Sequence, residues 1–520
     1  MDITLISPYP DITVFGLRTI SAYLKDNGHN CRLVFLPEPD GDDAVFGEDR
    51  YNAGVMDELV SLCKGADLVG VTLMTNFFDG AVQITKKLKK SLSVPVIWGG
   101  VHPTIRPEES LRFADMVCIG EGEETMVELA GKMERGVDYS DTANLWLRPN
   151  GFSNGFLNGR SNGGIVKNPV RPLNANLDDY PMPDYSFDDH NILFDGHIRP
   201  LTYELTRTFL ESCTVSDYSN LKKIGYHTMT GRGCPNKCTY CINDTIKNLY
   251  GNKGYLRWRS TDHVINELLW VKTHMPFVGY VSMSDDAFSA RGLKSMEEFC
   301  REYKGKIALP FTCLTSPLTI TEQKMELLVD AGLVYVQMDV QSGSARVQAL
   351  FNRQDVTNEK SMQAMRIINR YKNRMYPPGY DFILDVPYET DQDKIESLKF
   401  VANIPKPYRL KPFSLVLYPE TGLYNQAIGD GLILDEKREI YAKTGTTHKL
   451  NYLNLLMAMA REGTISGALL KFLISPPVVA ALNSRALRPA IKTVYRGLKM
   501  AYRTAKGLNS LGSHKDPKLR

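Results

Sequence analysis

The fold of this chain is decided by one short run, Gly231-Arg232-Gly233-Cys234-Pro235-Asn236-Lys237-Cys238-Thr239-Tyr240-Cys241. The run contains three cysteines in the spacing C-x-x-x-C-x-x-C. Three thiolates on one loop can hold an iron-sulfur cluster by three of its irons, which leaves the fourth iron free to bind another molecule. We therefore predict that Cys234, Cys238 and Cys241 are the metal ligands of one 4Fe-4S cluster.

A structural zinc site is the alternative for closely spaced cysteines. Such a site needs four Cys or His ligands that close a tetrahedron. The nearest candidates outside the triad are Cys213 and His227 upstream and His263 downstream, and none lies at the spacing of a zinc motif. The pattern therefore favours the open cluster.

The triad, with the aromatic Tyr240 just before its third cysteine, resembles the radical S-adenosylmethionine (SAM) family. In that family the amino and carboxylate groups of SAM bind the fourth iron, and a cluster electron cleaves SAM to a 5′-deoxyadenosyl radical. The resemblance implies a 4Fe-4S cluster and SAM as cofactors. It also implies an external electron donor such as flavodoxin or ferredoxin.

Around the triad, residues 223–428 alternate strand and helix patterns and are predicted to form the radical SAM core. The predicted strands are residues 226–230, 278–283, 309–314, 333–339, 380–385 and 411–417, each followed by a helical segment. Six such units resemble the partial (β/α)6, TIM-like barrel of the family. Active sites of barrels lie at the carboxyl ends of the strands.

Polar residues follow several of these strands, and the resemblance assigns some of them to SAM. Beside Tyr240, the candidates are Asp285, Asp286, Gln341, Ser342 and Arg346. The acidic pair stands where the family receives the SAM ammonium, and Arg346 has the planar fork of donors that suits a carboxylate. The segment 385–390 stands near the usual adenine site. The sequence assigns no residue to catalysis itself.

The first 137 residues also alternate short apolar strands with amphipathic helices. The predicted strands are 3–7, 30–35, 68–74, 94–98 and 116–119, and the predicted helices are 16–26, 53–64, 78–91 and 122–133. This order predicts an α/β, doubly wound (Rossmann-like) domain with a parallel sheet. Ligands of such sheets bind at the carboxyl ends of the strands.

Segments at those ends resemble the cobalamin-binding domain that is fused to some radical SAM cores. The candidate cobalamin residues are Asp11, Thr13, Gly16, Thr72, Leu73, Gly99, Gly100, Val101 and His102. The glycines allow the backbone to approach a corrin closely. Thr13 stands where related domains have a histidine, so the resemblance implies cobalamin without that ligand and leaves the lower axial ligand undetermined. A flavodoxin-like domain that binds another ligand is the alternative.

Other residues of this domain invite a different interpretation. His29 and His102 are predicted to be structural histidines and not cobalt ligands, because a lone histidine is more often a hydrogen-bonded structural residue than a metal ligand, and His29 stands at a helix stop. Methylthiotransferases carry three N-terminal cysteines for an auxiliary cluster. Here Cys31, Cys63 and Cys118 occur singly in apolar or helical patterns, so we predict buried structural thiols.

Residues 138–222 have looser patterns. Asn-Gly pairs recur between residues 150 and 163 and predict the turns of hairpins. An acidic, proline-rich stretch follows at 177–185. We predict a linker with hairpins between the two domains.

The C-terminal region, residues 429–520, is predicted to be helical and basic. Between residues 487 and 506, basic and apolar residues each recur every three or four positions, which predicts an amphipathic helix with a cationic face. Such a helix can contact an anionic membrane surface, and it can equally pack on the core with its charges in water.

Composition limits the compartment and the partners. A chain of 520 residues should form about three domains. Its start lacks the pattern of a signal peptide, no apolar stretch reaches ~18 residues, and the nine cysteines show no disulfide pattern. We predict a cytoplasmic protein, with contact at the inner membrane face left open. A net charge of +3 does not indicate nucleic acid.

Together the two resemblances imply a cobalamin-dependent radical SAM enzyme that methylates an unactivated carbon. The 5′-deoxyadenosyl radical would remove a hydrogen atom, methylcobalamin would supply the methyl group, and a second SAM would restore it. The substrate would be a small molecule or lipid. Two alternatives stay open: radical cyclisation or rearrangement without methyl transfer, and a cobalamin- and SAM-binding sensor without turnover.

Overall fold

The structure is a computed structural model. It describes residues 1–37, 46–148, 164–212, 223–443, 445, 448–483, 487, 489–491, 493–494 and 496–497. Two large sheets organise these residues, one with a parallel core and antiparallel edge strands and the other parallel throughout.

Strands and helices alternate through the N-terminal domain, as the sequence predicts. In chain order they are β1 (Asp2–Ser7), α1 (Phe15–Asp26), β2 (Asn30–Phe35), α2 (Ala53–Cys63), β3 (Leu68–Thr72), α3 (Phe78–Ser91), β4 (Val96–Gly99), α4 (Val101–Ile105), α5 (Pro107–Ser110), β5 (Met116–Cys118) and α6 (Glu123–Glu134). The five strands lie in the order β5-β4-β3-β1-β2 and are all parallel. The strand order reverses between β1 and β3, and such a point is where open α/β sheets bind ligands.

The segment predicted as a linker extends this first sheet at both edges. It contains β6 (Leu145–Leu147), β7 (Val166–Lys167), β8 (Asn191–Phe194), β9 (His197–Pro200) and α7 (Tyr203–Ser212). Strands β6 and β7 continue from β5, and β8 and β9 continue from β2, which gives a nine-stranded sheet. Added strands satisfy the backbone groups that a bare sheet edge would expose. The predicted Asn-Gly hairpins at 150–163 lie outside the described residues.

The second half of the chain contains a six-stranded half-barrel. Its elements are β10 (Ile224–Thr228), β11 (Gly231–Arg232), α8 (Ile242–Leu249), β12 (Arg257–Trp258), α9 (Thr261–His274), β13 (Val278–Met283), α10 (Leu293–Glu302), β14 (Phe311–Thr315), α11 (Glu322–Ala331), β15 (Leu333–Gln341), α12 (Ala345–Leu350), α13 (Asn358–Asn369), β16 (Gly379–Leu384), α14 (Asp391–Val401) and β17 (Arg409–Ser414). The order β10-β13-β14-β15-β16-β17 is parallel throughout. All six predicted strands are present.

Among the described residues, further α-helices follow the half-barrel at α15 (Gly422–Gly429), α16 (Tyr452–Met459), α17 (Gly467–Leu473) and α18 (Pro476–Leu482). Most of the predicted amphipathic helix at 487–506 lies outside the described residues. Within the described ranges, no helix has the length and apolar character needed to cross a membrane.

Candidate functional site

A cavity of about 600 Å³ lies where the carboxyl edge of the first sheet faces the half-barrel. Its walls come from three parts of the chain. The N-terminal domain contributes the loop after β1 and the ends of β3 and β4, the connector contributes Tyr180 and its neighbours, and the half-barrel contributes Met229, Arg232, Tyr255 and Asp286. The stretch predicted as an interdomain linker therefore forms part of a cavity wall.

Glycines keep the N-terminal wall of the cavity open. Gly100 has a φ of +99°, and a Cβ there would lie 2.9 Å from Thr72 Oγ1. At Gly70, inside β3, a Cβ would lie 2.6 Å from Leu5. The cavity continues beside these glycines as an apolar slot between the sheet, α1 and α6, lined by Leu5, Ile20, Ile97, Cys118 and Met126. A flat ring with a long substituent fits such a cradle and slot, so the residues present fit cobalamin.

The predicted cobalamin residues divide into two groups. Gly16, Thr72, Gly99, Gly100 and Val101 line the cavity. Asp11, Thr13, Leu73 and His102 do not line it. The Thr13 backbone N–H and hydroxyl both donate to Asp11 Oδ1, at 2.8 and 2.7 Å, so a local turn engages this hydroxyl. Val14 and Phe15 line the cavity next to that turn.

His102 is packed inside the N-terminal domain. Its ring is fully buried, and Nδ1 lies 3.1 Å from the hydroxyl of Thr75. The rings of Phe78 and Tyr441 pack edge-on against it. Burial lowers the pKa of His102 to about 4, although Glu109 stands 3.7 Å away. These contacts describe a neutral, structural histidine.

The three N-terminal cysteines are separate buried thiols. Cys31, Cys63 and Cys118 are each less than 5% exposed, and none of them forms a disulfide. Burial raises the pKa of each thiol to about 12. Cys31 and Cys118 pack in one hydrophobic core cluster and Cys63 packs in another, so the three thiols do not share a common site.

Tight packing fixes the start of the cysteine loop. Gly233 has a φ of +91°, and a Cβ there would lie 2.3 Å from the Tyr255 carbonyl oxygen. At Gly231 a Cβ would lie 2.3 Å from the Trp258 ring. Only glycine fits both positions, because one needs a left-handed backbone and the other a close approach.

The thiols of the loop lie close enough to affect one another's pKa. Burial raises the pKa of Cys234 to about 11, and the neighbouring Cys238 raises it further. Burial likewise raises the pKa of Cys241 to about 12, with contributions from both other cysteines of the triad. These shifts favour the neutral thiols, and a bound cationic iron centre would reverse them because it favours the thiolate form. The donor set fits a 4Fe-4S cluster, in which each thiolate binds a different iron. Across the described ranges, no group of three or more His, Cys, Asp or Glu residues is arranged around a single metal ion.

Arg353 lies against this loop and was not singled out from the sequence. Its Nη1 stands 3.4 Å from Cys238 Sγ and donates to Asp339 Oδ2 at 2.9 Å, while Nη2 donates to the Asp339 carbonyl. The residue is 4% exposed. The sequence gives only a weak indication of this role, because the position of Arg353 depends on how the chain turns after α12.

The acidic pair after β13 splits into two roles. Asp285 is buried and accepts hydrogen bonds from the Thr230 backbone and hydroxyl, which anchors the segment before the cysteine loop. Burial raises its pKa to about 6. Asp286 lines the cavity, as do Glu121 and Glu123, and burial raises the pKa of Asp286.

The other predicted SAM residues lie around the half-barrel mouth. Tyr240 packs edge-on against Phe351 at 4.7 Å. Gln341, which has a φ of +69°, is 8% exposed, and its Oε1 has no hydrogen-bond partner. The Ser342 hydroxyl lies 3.2 Å from that of Ser397.

Arg346 is engaged away from the cysteine loop. It forms an ion pair with Asp393, the N3 residue of the capping box of α14, and donates to the Tyr388 carbonyl at 2.7 Å. The segment 385–390, which was predicted to lie near the adenine site, also takes part in hydrogen bonds within the protein. The Asp385 carboxylate accepts hydrogen bonds from Ser414 and from Lys449 and Asn454 of the C-terminal region.

Two sequence families match the chain. The family described as the Radical SAM superfamily matches residues 228–401, and the B12 binding domain matches residues 1–130. These ranges contain, respectively, the cysteine loop and the glycine-lined edge of the cavity. The two domains imply a 4Fe-4S cluster, SAM and cobalamin as cofactors.

Individual proteins are similar over most of the chain. An uncharacterized methyltransferase, PH0819 from Pyrococcus horikoshii, is 24% identical over 447 residues, covering 84% of this chain and 85% of the relative. The radical SAM methyltransferase TsrM from Kitasatospora setae, solved with tryptophan and a SAM analogue, has a TM-score of 0.64 at 13% identity, covering 98% of this chain and 99% of TsrM. The cobalamin-dependent radical enzyme OxsB has a TM-score of 0.55 at 15% identity, covering 85% of this chain and 57% of OxsB. The structural similarities concern the fold.

Proposed function

The chain is a cobalamin-dependent radical SAM enzyme, and we propose that it transfers a methyl group to an unactivated carbon of its substrate. One observation carries this proposal. A single cavity is walled on one side by the glycine edge of the B12 binding domain and on the other by the half-barrel, with Asp286 in its lining. Two cofactors bound at these walls would face the same enclosed space, and proximity makes coupled steps efficient.

When bound, SAM and its cluster supply a carbon-centred radical, and cobalamin supplies a transferable methyl group. The chain binds, orients and encloses them. Asp286 would receive the SAM ammonium, because a carboxylate accepts charge-assisted hydrogen bonds from a cation. Gln341 offers a buried, unpartnered Oε1 that would accept a hydrogen bond from a ribose hydroxyl.

Apolar residues would protect the reacting centre from water. Met229, Tyr180, Pro181 and Val101 line the same cavity. A reactive radical that is exposed to solvent can undergo side reactions, and exclusion of water from the site suppresses them. These residues would therefore hold the substrate carbon in a dry space.

We propose a small molecule with an apolar portion as the substrate class, since the cavity lining is largely apolar. Tryptophan in the TsrM structure is an example of such a substrate in a protein of similar fold. We also propose an external redox protein as the electron donor. Pro235 and Lys237 of the cysteine loop are exposed, so such a donor can approach the cluster there.

Metabolite comparison by mass spectrometry tests the proposal. Anaerobic cell extracts are incubated with SAM, a reductant and either the intact chain or its Cys234→Ala, Cys238→Ala, Cys241→Ala triple variant. We expect one or more metabolites to gain a single methyl group with the intact chain alone. A product formed by the intact chain at unchanged carbon count would favour cyclisation or rearrangement. If no metabolite differs although the intact chain cleaves SAM, methylation of a free metabolite is refuted.

A further inference from the structure

The run Gly120-Glu121-Gly122-Glu123 lies at the rim of the cavity and contacts the half-barrel directly. Arg232, two residues before Cys234, donates to Glu123 Oε1 at 2.6 Å and lies 3.4 Å from Glu121 Oε2. The Glu123 side chain is 3% exposed. A rim residue of the N-terminal domain is thus joined to the cysteine loop by a charge-assisted, largely buried hydrogen bond.

A second arginine completes this contact. Arg257 pairs with Arg232 across the two-stranded ribbon of β11 and β12. Like charges directly opposite on a ribbon repel each other. Glu121 lies between them, because it forms an ion pair with Arg257 as well as with Arg232. Two glutamates and two arginines therefore form a neutral group, and removal of the glutamates would leave two adjacent cations.

Tyr250 makes a third contact from the far side of the cysteine loop. Cys241, the last cysteine of the triad, is the N-cap position of helix α8, and Tyr250 is its C-cap position. The Tyr250 hydroxyl accepts a hydrogen bond from the Glu121 backbone N–H at 2.9 Å. Gly120 has a φ of +78°, and a Cβ there would lie 1.9 Å from the same hydroxyl. Contacts before and after the three cysteines thus converge on one rim segment.

We propose that Glu121, Glu123, Arg232, Arg257 and Tyr250 are positioning residues that hold the cluster loop against the cobalamin cavity and so fix the separation of the two cofactors. We call this group the interdomain clamp. The inference rests on the proposed function in that a fixed separation matters for coupled radical and methyl chemistry. Methyl transfer tolerates only displacements that are much smaller than the cavity, because small displacements of reacting groups reduce rates strongly.

The rigidity of both sides supports this role. On the half-barrel side, Asp285 anchors Thr230, and Gly231 packs against Trp258, so Arg232 extends from a fixed ribbon. On the other side, Glu123 begins helix α6. Hydrogen bonds between two rigid elements fix the position of one element relative to the other, whereas hydrogen bonds between mobile loops do not.

The test measures the distance between the two metal centres without turnover. The full chain is loaded anaerobically with cluster and cobalamin and reduced until each centre carries one unpaired electron. Pulsed dipolar EPR then gives the distribution of their separation. We expect a single narrow distribution for the wild type, and a shifted and broadened one for Arg232→Gln and for Tyr250→Phe. The double variant Glu123→Gln, Arg232→Gln should recover part of the narrow distribution, because two amides restore the hydrogen bond without a buried charge.

Arg171→Gln is the matched control. Arg171 forms ion pairs with Glu124 and Glu128, which lie on the same helix α6, and neither glutamate belongs to the clamp. This variant should keep the wild-type distribution.

A second measurement uses the affinity for cobalamin. If the clamp joins the two sites, loss of the cluster should weaken cobalamin binding by a factor within the usual range of about 5- to 150-fold for coupled sites. The factor should approach one in Tyr250→Phe. Wild-type distances in both Arg232→Gln and Tyr250→Phe would overturn the inference, as would a factor of one in the wild type. Neither measurement requires methyl transfer, so failure of the proposed function would be seen separately.

Discussion

Gly16→Leu should weaken cobalamin binding while leaving the fold intact. Gly16 is the second residue of α1 and lines the cavity, and a Cβ at this position meets no atom within 4 Å. The substitution therefore creates no clash within the protein. It improves the helix instead, because glycine is about 1 kcal/mol less favourable than alanine or leucine in a helix. The added side chain occupies space that the cofactor requires.

The expected loss of cobalamin affinity follows from the cost of overpacking the site. Extra methylenes in a filled site cost about 1–3 kcal/mol, which corresponds to a roughly 5- to 150-fold loss of affinity at 1.4 kcal/mol per factor of ten. Thermal unfolding should show no loss of stability, and equilibrium dialysis should show the weakened cobalamin binding. Gly429→Leu is the control, because Gly429 is also helical with no atom near its Cβ position and does not line the cavity. Wild-type affinity in Gly16→Leu would refute the assignment of this cavity to cobalamin.

Three further predictions concern the half-barrel. Cys234→Ala, Cys238→Ala and Cys241→Ala should each lose iron and SAM cleavage, whereas Cys63→Ala should retain both, and full iron content in the triad variants would contradict the ligand set. Arg353→Gln should lower the midpoint potential of the cluster by roughly 50 mV, equivalent to about 1 kcal/mol for one electron, because a positive charge 3.4 Å from Cys238 Sγ favours the reduced cluster. Arg346→Gln, which alters an ion pair with Asp393, should leave that potential unchanged in the same redox titration. Burial raises the pKa of Asp285 from its ordinary value of 3.8 to about 6, so the folded state holds this proton more tightly than the unfolded chain does. The free energy of unfolding therefore falls as the pH rises between these two values. The stability of Asp285→Asn relative to the wild type should consequently rise by about 1 kcal/mol between about pH 5 and pH 7.5 in denaturant unfolding, and a flat difference would contradict the raised pKa.

The sequence predicted the strands well because their apolar runs carry local information. All five strands of the first parallel sheet and all six of the half-barrel lie where periodicity indicates, within a few residues. The cysteine triad could also be singled out from the sequence, because three close cysteines on one loop are a local pattern, and its role as the ligand set of a cluster stays a prediction.

Features that depend on tertiary contact could not be read in the same way. Arg346 and Arg353 lie seven positions apart, and only the turn after α12 decides which of them reaches the cysteine loop. The proline-rich connector was predicted to be a spacer, and its Tyr180 is 4% exposed in the cavity wall. No local pattern states which surface a connector will cover.

The most direct test of the account uses SAM with a deuterated methyl group and the true substrate, once metabolite comparison has identified it. Methyl transfer through both cofactors consumes two SAM molecules per product. We expect 5′-deoxyadenosine and S-adenosylhomocysteine in comparable amounts, with label in the product. If 5′-deoxyadenosine forms with the product, no label is transferred and no S-adenosylhomocysteine accumulates, methyl transfer is contradicted and a radical rearrangement takes its place.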